Sequence, residues 1–240
     1  MAHLWPTIVL GLTLFGMPGA ARAQMISPML SEGPRIALQG HADRFAREES
    51  EPRLPQPPVI DPAVLRYTPS KVRRSANLAN FVQKTRTADP QAAADLQKLF
   101  AQGDIIEKIG RRVAPQGLRI DDVADAYALW WITAWQAAQG KGDTPDRTTL
   151  AAVRRQAAEA VTAAGTIARA ADAQKQALAE SLWVQATLIE TGVQQARNDP
   201  ARLRAIGQSM RQGARSMGLD LDHIALTSDG FVLRRRDPRP

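Results

Sequence analysis

From residue 65 onward, apolar positions recur every three or four residues, the spacing that keeps them on one side of an α-helix. About seven helices are predicted, near 69–86, 90–102, 104–114, 122–139, 145–164, 172–198 and 200–217. In the first, Val72, Ala76, Ala79 and Val82 mark one side, with Leu78 and Phe81 beside it. The second turns Leu96, Leu99 and Phe100 inward, and the third Ile105, Ile106, Ile109 and Val113. The fifth shows Leu150, Val153, Ala157, Ala160, Val161 and Ala164 at helical spacing. Residues 126–140 carry no charge, and residues 182–189 are apolar except at Gln185 and Thr187. A helix apolar nearly all round is buried on most sides, so the fourth and sixth helices belong at the centre. There is no βαβ alternation. Only residues 225–233, with Ser228-Asp229-Gly230 between short apolar runs, predict a small hairpin. The fold class is therefore an all-α, single-domain bundle over residues 65–233.

Punctuation supports this reading. Thr68-Pro69, Asp89-Pro90, Thr144-Pro145 and Asp199-Pro200 each put a capping oxygen before a proline suited to a first helical turn. Gly103, Gly117, Gly140 and Gly218 mark expected stops.

The ends are different in kind. Thr7 to Phe15 is an apolar run too short to span a bilayer, followed by Gly16, Pro18 and the small-residue pattern Ala21-Arg22-Ala23. Residues 1–23 thus read as a signal peptide cleaved after Ala23, giving a periplasmic or secreted chain that starts at Gln24. The segment before the apolar run offers only the amino terminus and His3 as cations. Residues 24–64 are rich in proline and lack apolar periodicity, as a flexible linker does. Residues 234–240 form a basic tail with Arg234, Arg235 and Arg236. The mature chain is not expected to contain a transmembrane helix.

Charge and cysteine content narrow the chemistry. The full chain carries +7, and cleavage removes one arginine and no acid, leaving +6. That balance can favour an anionic partner but falls short of a nucleic-acid footprint. Zero cysteine excludes a disulfide scaffold, a thiolate metal site and a lipid-modified cysteine. The mature chain has only His41 and His223, too few for the usual zinc site, and Asp220, Asp222 and His223 lack a calcium-loop pattern. No metal and no cofactor is expected. Neither G-x-S-x-G nor H-E-x-x-H occurs. A glycosidase-type carboxylate pair needs no motif, but Glu107, Glu159, Glu180 and Glu190 mostly fall on predicted polar faces.

Three groups invite a functional reading. Tyr127, Trp130, Trp131 and Trp135 are the densest aromatic set; core packing is the simpler account, with Trp130, about 100° from Trp131, the ring directed toward any cleft. Asp121, Asp122 and Asp125 open the same helix, where capping and an ion pair to Arg119 explain them better than acid–base work. On the seventh helix Leu203, Ile206, Met210, Ala214 and Met217 share a face, and Arg204, Gln208, Arg211 and Arg215 form the adjacent stripe. A guanidinium stripe can grip phosphate or carboxylate, although a solvated face or pairing with neighbouring acids is the plainer reading.

The segments YTPSKVRRSANLANFVQKTR, DDVADAYALWWITAW and SMGLDLDHIALTSDGFV, in this order, resemble an uncharacterised family of exported bacterial helical proteins, a domain of unknown function. The resemblance covers about residues 66–233 and implies a mostly helical exported domain, with no activity attached. The leading expectation is a non-catalytic binding or interaction module of the bacterial envelope, engaging an envelope protein or an anionic envelope component. Its candidate binding residues are Arg204, Arg211, Arg215, Trp130 and Tyr127. The alternative is a cell-wall-acting hydrolase using paired carboxylates in a cleft near Tyr127 and Trp130. Two carboxylates about 5–10 Å apart in an open, aromatic-walled cleft would favour the hydrolase.

Overall fold

Seven α-helices and one β-hairpin form the computed structural model, which describes residues 61–163, 165–215 and 219–234. The helices are α1 (Lys71–Ala88), α2 (Pro90–Ala101), α3 (Ile105–Val113), α4 (Val123–Ala138), α5 (Arg147–Ala163), α6 (Asp172–Gln195) and α7 (Pro200–Arg215). Strands β1 (Ile224–Thr227) and β2 (Gly230–Leu233) pair antiparallel, with Ile224 opposite Leu233 and Thr227 opposite Gly230. Short 3₁₀ turns cover Pro62–Leu65 and Ala114–Gln116. The segments that the sequence predicts as signal peptide and linker, up to residue 60 and with His41 among them, lie outside the described residues. So do Ala164, Met217, Gly218, and the tail with Arg235 and Arg236.

The expected centre is found. Of α4, only Thr133 and Gln136 are not buried, and the helix packs against α5, α6 and α7. The main core runs from Leu65 to Phe231, so the hairpin belongs to it. Phe231 stacks on Trp131 with ring centroids 4.0 Å apart, and Trp135 meets the same ring edge-on at 6.0 Å. Trp135 Nε1 donates to the Ile224 carbonyl at 3.3 Å. No helix among the described residues is long and apolar enough to cross a membrane.

Two of the four proline starts are caps. Asp89 accepts from the Ala92 N–H at 2.9 Å and Asp199 from Arg202 at 3.0 Å. At the other two, capping falls to a residue after the proline: Ser70 accepts from Arg73, and Asp146 from Thr149. Thr68 is used otherwise; its N–H donates to Asp172 Oδ2 on α6.

The first helix corrects a sequence expectation. Val72 is 82% exposed, and Ala76 and Ala79 are exposed as well, whereas Arg74, Val82 and Thr85 are buried. The Val/Ala stripe is small, and the polar contacts of Arg74 hold the helix rotated away from it.

Candidate functional site

The start of α4 holds two carboxylates inside the protein. Asp122 caps the helix, accepting from the N–H groups of Ala124 at 2.9 Å and Asp125 at 3.3 Å. Asp125 is fully buried and accepts from the Arg119 backbone N–H at 2.8 Å. Arg154, from α5, spans the pair, with Nη2 3.4 Å from Asp122 Oδ2 and Nε on Asp125 Oδ1. Arg66 Nε lies 3.8 Å from Asp122. Burial, reinforced by the Asp122 charge, lifts the Asp125 carboxyl to about 7, against the pull of Arg154. Asp121 is turned outward and takes both prongs of the Arg119 side chain, the expected ion pair.

Outside Arg154 opens a cleft of about 500 Å³. One wall is the turn at residues 114–118. The other is α5, where Arg147, Leu150, Ala151 and Arg154 follow one another along a single helical face. Arg147 Nη2 donates to the Pro115 carbonyl at 2.7 Å and so bridges the two walls. Gln116 also lines the cleft; its Oε1 is buried and has no donor among the described residues. Gly117 closes the turn at φ +85°, a left-handed conformation that glycine adopts without a steric penalty.

The residues singled out from sequence do not gather in one place. Tyr127 is wholly buried and Trp130 is 3% exposed, its Nε1 donating to Gln185 Oε1 at 3.2 Å. The two rings stack on each other at 6.0 Å. A direction for Trp130 toward a cleft is therefore corrected, because α6 supplies a buried amide partner. On α7, Arg211 Nε donates to Asp222 Oδ1 at 2.8 Å and Arg215 Nη2 to Asp222 Oδ2 at 3.2 Å. The hydrogen bond from Arg211 leads the effects that hold the Asp222 carboxyl below its ordinary range. Arg204 is exposed. His223 sits 3.8 Å from Asp220, and no three metal-type side chains converge among the described residues.

A second buried charge cluster had no clear sequence signal. Arg74 is 4% exposed and reaches Asp104 at 2.6 Å, Glu107 at 2.8 Å and Glu180 at 2.9 Å, joining α1, α3 and α6. Asn77 and Gln176 also donate to Glu180, at 2.7 and 2.9 Å. Glu180, expected on a polar face, is 1% exposed for this reason. Burial works against the charge on Arg74, but the hydrogen bonds it donates to three carboxylates outweigh that and raise its pKa. The only hint in the sequence is Glu180 following Gln176 by one turn.

These features define a class: an all-α scaffold with its deepest carboxylates clamped by arginines and other arginines left on the outside. The chain belongs to the Family of unknown function (DUF6683), whose model matches residues 20–234. No curated protein and no solved structure matches the chain.

Proposed function

We propose that the protein is an exported, non-catalytic binding module of the cell envelope that engages an envelope protein or an anionic envelope component through Arg204, Arg211 and Arg215. One observation carries this reading: acids and cations are unevenly distributed. Asp122, Asp125 and Glu180 are buried and held by arginines, whereas α7 bears four arginines and no acid. Asp220 and Asp222 offset part of that charge, and Arg202 and Arg204 extend it. Exposed cations act weakly alone and add as a patch, screened over about 8 Å at physiological salt. Support for export is the pattern of residues 1–23. The hydrolase alternative calls for a carboxylate pair in a cleft near Tyr127 and Trp130, and the burial of both rings counts against that location.

The test is co-sedimentation of the full chain and its R204Q/R211Q/R215Q variant with an envelope fraction, across a salt series. The variant should fold normally, bind less and lose salt dependence. Binding equal to the parent at low salt would reduce the stripe to a solvated face. Intact mass of the chain from its native host should begin at Gln24; a retained Met1 in the cytoplasmic fraction would overturn export.

A further inference from the structure

The geometry points to the cleft between residues 114–118 and α5 as a site for the C-terminal carboxylate of a short peptide. This inference goes beyond the α7 reading, since it concerns another helix and another ligand class.

The cations are fixed before any ligand arrives. Arg154 spends Nε and Nη2 on Asp125 and Asp122, which hold its guanidinium plane in place at the cleft and leave Nη1 without an acceptor among the described residues. Arg147, two turns earlier on the same face, is tied through Nη2 to the Pro115 carbonyl, with Nε and Nη1 lacking acceptors among the described residues. A held guanidinium loses little rotamer freedom on binding, the usual cost of gripping an anion with a long side chain.

Charge then selects the anion. The Arg119 and Asp121 side chains neutralise each other. Arg66 and Arg154 lie against Asp122 and Asp125, and Arg147 adds its charge from the cleft wall, which leaves one positive charge once the pH is above the Asp125 range of about 7. One excess charge suits a monoanionic carboxylate better than a phosphate dianion, which would add a second negative charge beside two buried carboxylates.

The remaining wall chemistry points to a peptide end. Gln116 lines the cleft with its Oε1 buried and without a donor among the described residues, and a turn of that side chain would offer the oxygen to the last amide N–H of a peptide, a donor at the right remove from its carboxylate. Leu150, Ala151 and Leu118 supply apolar surface between the polar groups, suited to a small side chain. About 500 Å³ is within the usual 300–1,000 Å³ of small-ligand sites. Guanidinium groups match a carboxylate in geometry and charge, and capture of a C-terminal carboxylate by converging N–H donors is a recognised mode of peptide binding.

Calorimetric titration of the full chain with N-acetyl-alanyl-alanine, its C-terminal carboxamide and inorganic phosphate decides the matter. The free-acid dipeptide should bind, with the carboxamide and phosphate each weaker by about tenfold or more, some 1.4 kcal/mol. Arg147→Gln should weaken the dipeptide by about as much. Ala151→Glu, which sets a carboxylate on an exposed cleft position, should abolish binding while the melting temperature holds. No binding at millimolar dipeptide, equal binding of the carboxamide, tighter binding of phosphate, or indifference to Ala151→Glu would each overturn the site. None of these results bears on the α7 stripe, which its own triple variant tests.

Discussion

Gln156 holds Phe231 by both of its backbone groups: Oε1 accepts from the Phe231 N–H at 2.8 Å, and Nε2 donates to the Phe231 carbonyl at 2.9 Å. A side-chain amide from the middle of α5 thus does for β2 what another strand would otherwise do. It fixes the ring of Phe231 against Trp131.

Replacing Gln156 by Leu should leave two buried backbone groups without partners, each worth about 1–3 kcal/mol when orphaned. We expect a loss of about 2–4 kcal/mol in urea unfolding, together with faster hydrogen exchange at the Phe231 amide. Unchanged exchange would mean that the hairpin is held by its rings alone.

Gly230 gives a sharper version of the same test. Its φ is +95°, and a Cβ there would lie 2.4 Å from Gln156 Oε1. Gly230→Ala therefore carries both backbone strain and a collision with the amide that anchors the hairpin, and should cost about 2 kcal/mol or more. In a Gln156→Ala background the collision is gone, so Gly230→Ala should add only its strain to the loss that Gln156→Ala itself causes. A double-mutant cycle reads the difference.

The Arg74 cluster predicts an asymmetry. Arg74→Ala strands the buried Glu180 and should cost about 3–5 kcal/mol, the usual result of breaking one side of a buried pair. Replacing both ends with apolar residues, as in R74M/E180L, should recover much of that loss. Chemical unfolding of the three proteins checks the order. A double variant less stable than R74A would show that Asn77 and Gln176 need the carboxylate more than the carboxylate needs Arg74.

Asp125 predicts a pH dependence with a definite sign. Its carboxyl titrates near 7 in the folded chain and near 3.8 when unfolded, so between these values the folded state holds a proton that the unfolded state has released. Stability from this group is fully present below about pH 4 and is lost as the pH rises through about 7, with a slope approaching 1 kcal/mol per unit. Asp125→Asn should flatten that slope, as measured by thermal melts from pH 4 to 8. A parent whose stability rises over this range would sink the assignment.

Much of this was legible in the sequence, and what was not has a common cause. Periodicity placed all seven helices, because α3 to α6 carry aliphatic stripes wide enough to decide their own orientation. It also placed the hairpin, where a turn separates two apolar runs. The orientation of α1 is not legible in its periodicity, since Val72, Ala76 and Ala79 offer little apolar area against three carboxylates converging on Arg74. Two caps lie two residues beyond the positions the Thr-Pro pairs suggest, at Ser70 and Asp146 rather than Thr68 and Thr144, because a proline can follow a turn as readily as a cap. The arginine stripe of α7 was legible. Its pairing with Asp222 was anticipated only in kind, and the cleft beside Arg154 was invisible. Clefts and ion-pair hubs are built between helices far apart in the sequence, where periodicity carries no information.

The stacking of Phe231 on Trp131 has a bearing on how the chain comes to be folded at all. A polypeptide emerging from its amino end exposes Trp131 long before Phe231 has been made, and until then the aromatic wall of α4 has no lid. The earlier helices can form and pack, but the face of Trp131 that Phe231 covers stays open until the hairpin has been made. Completion of the interior is thereby deferred to nearly the final residues of the domain, and removing the short C-terminal hairpin should leave behind an open, sticky intermediate in place of a smaller stable protein.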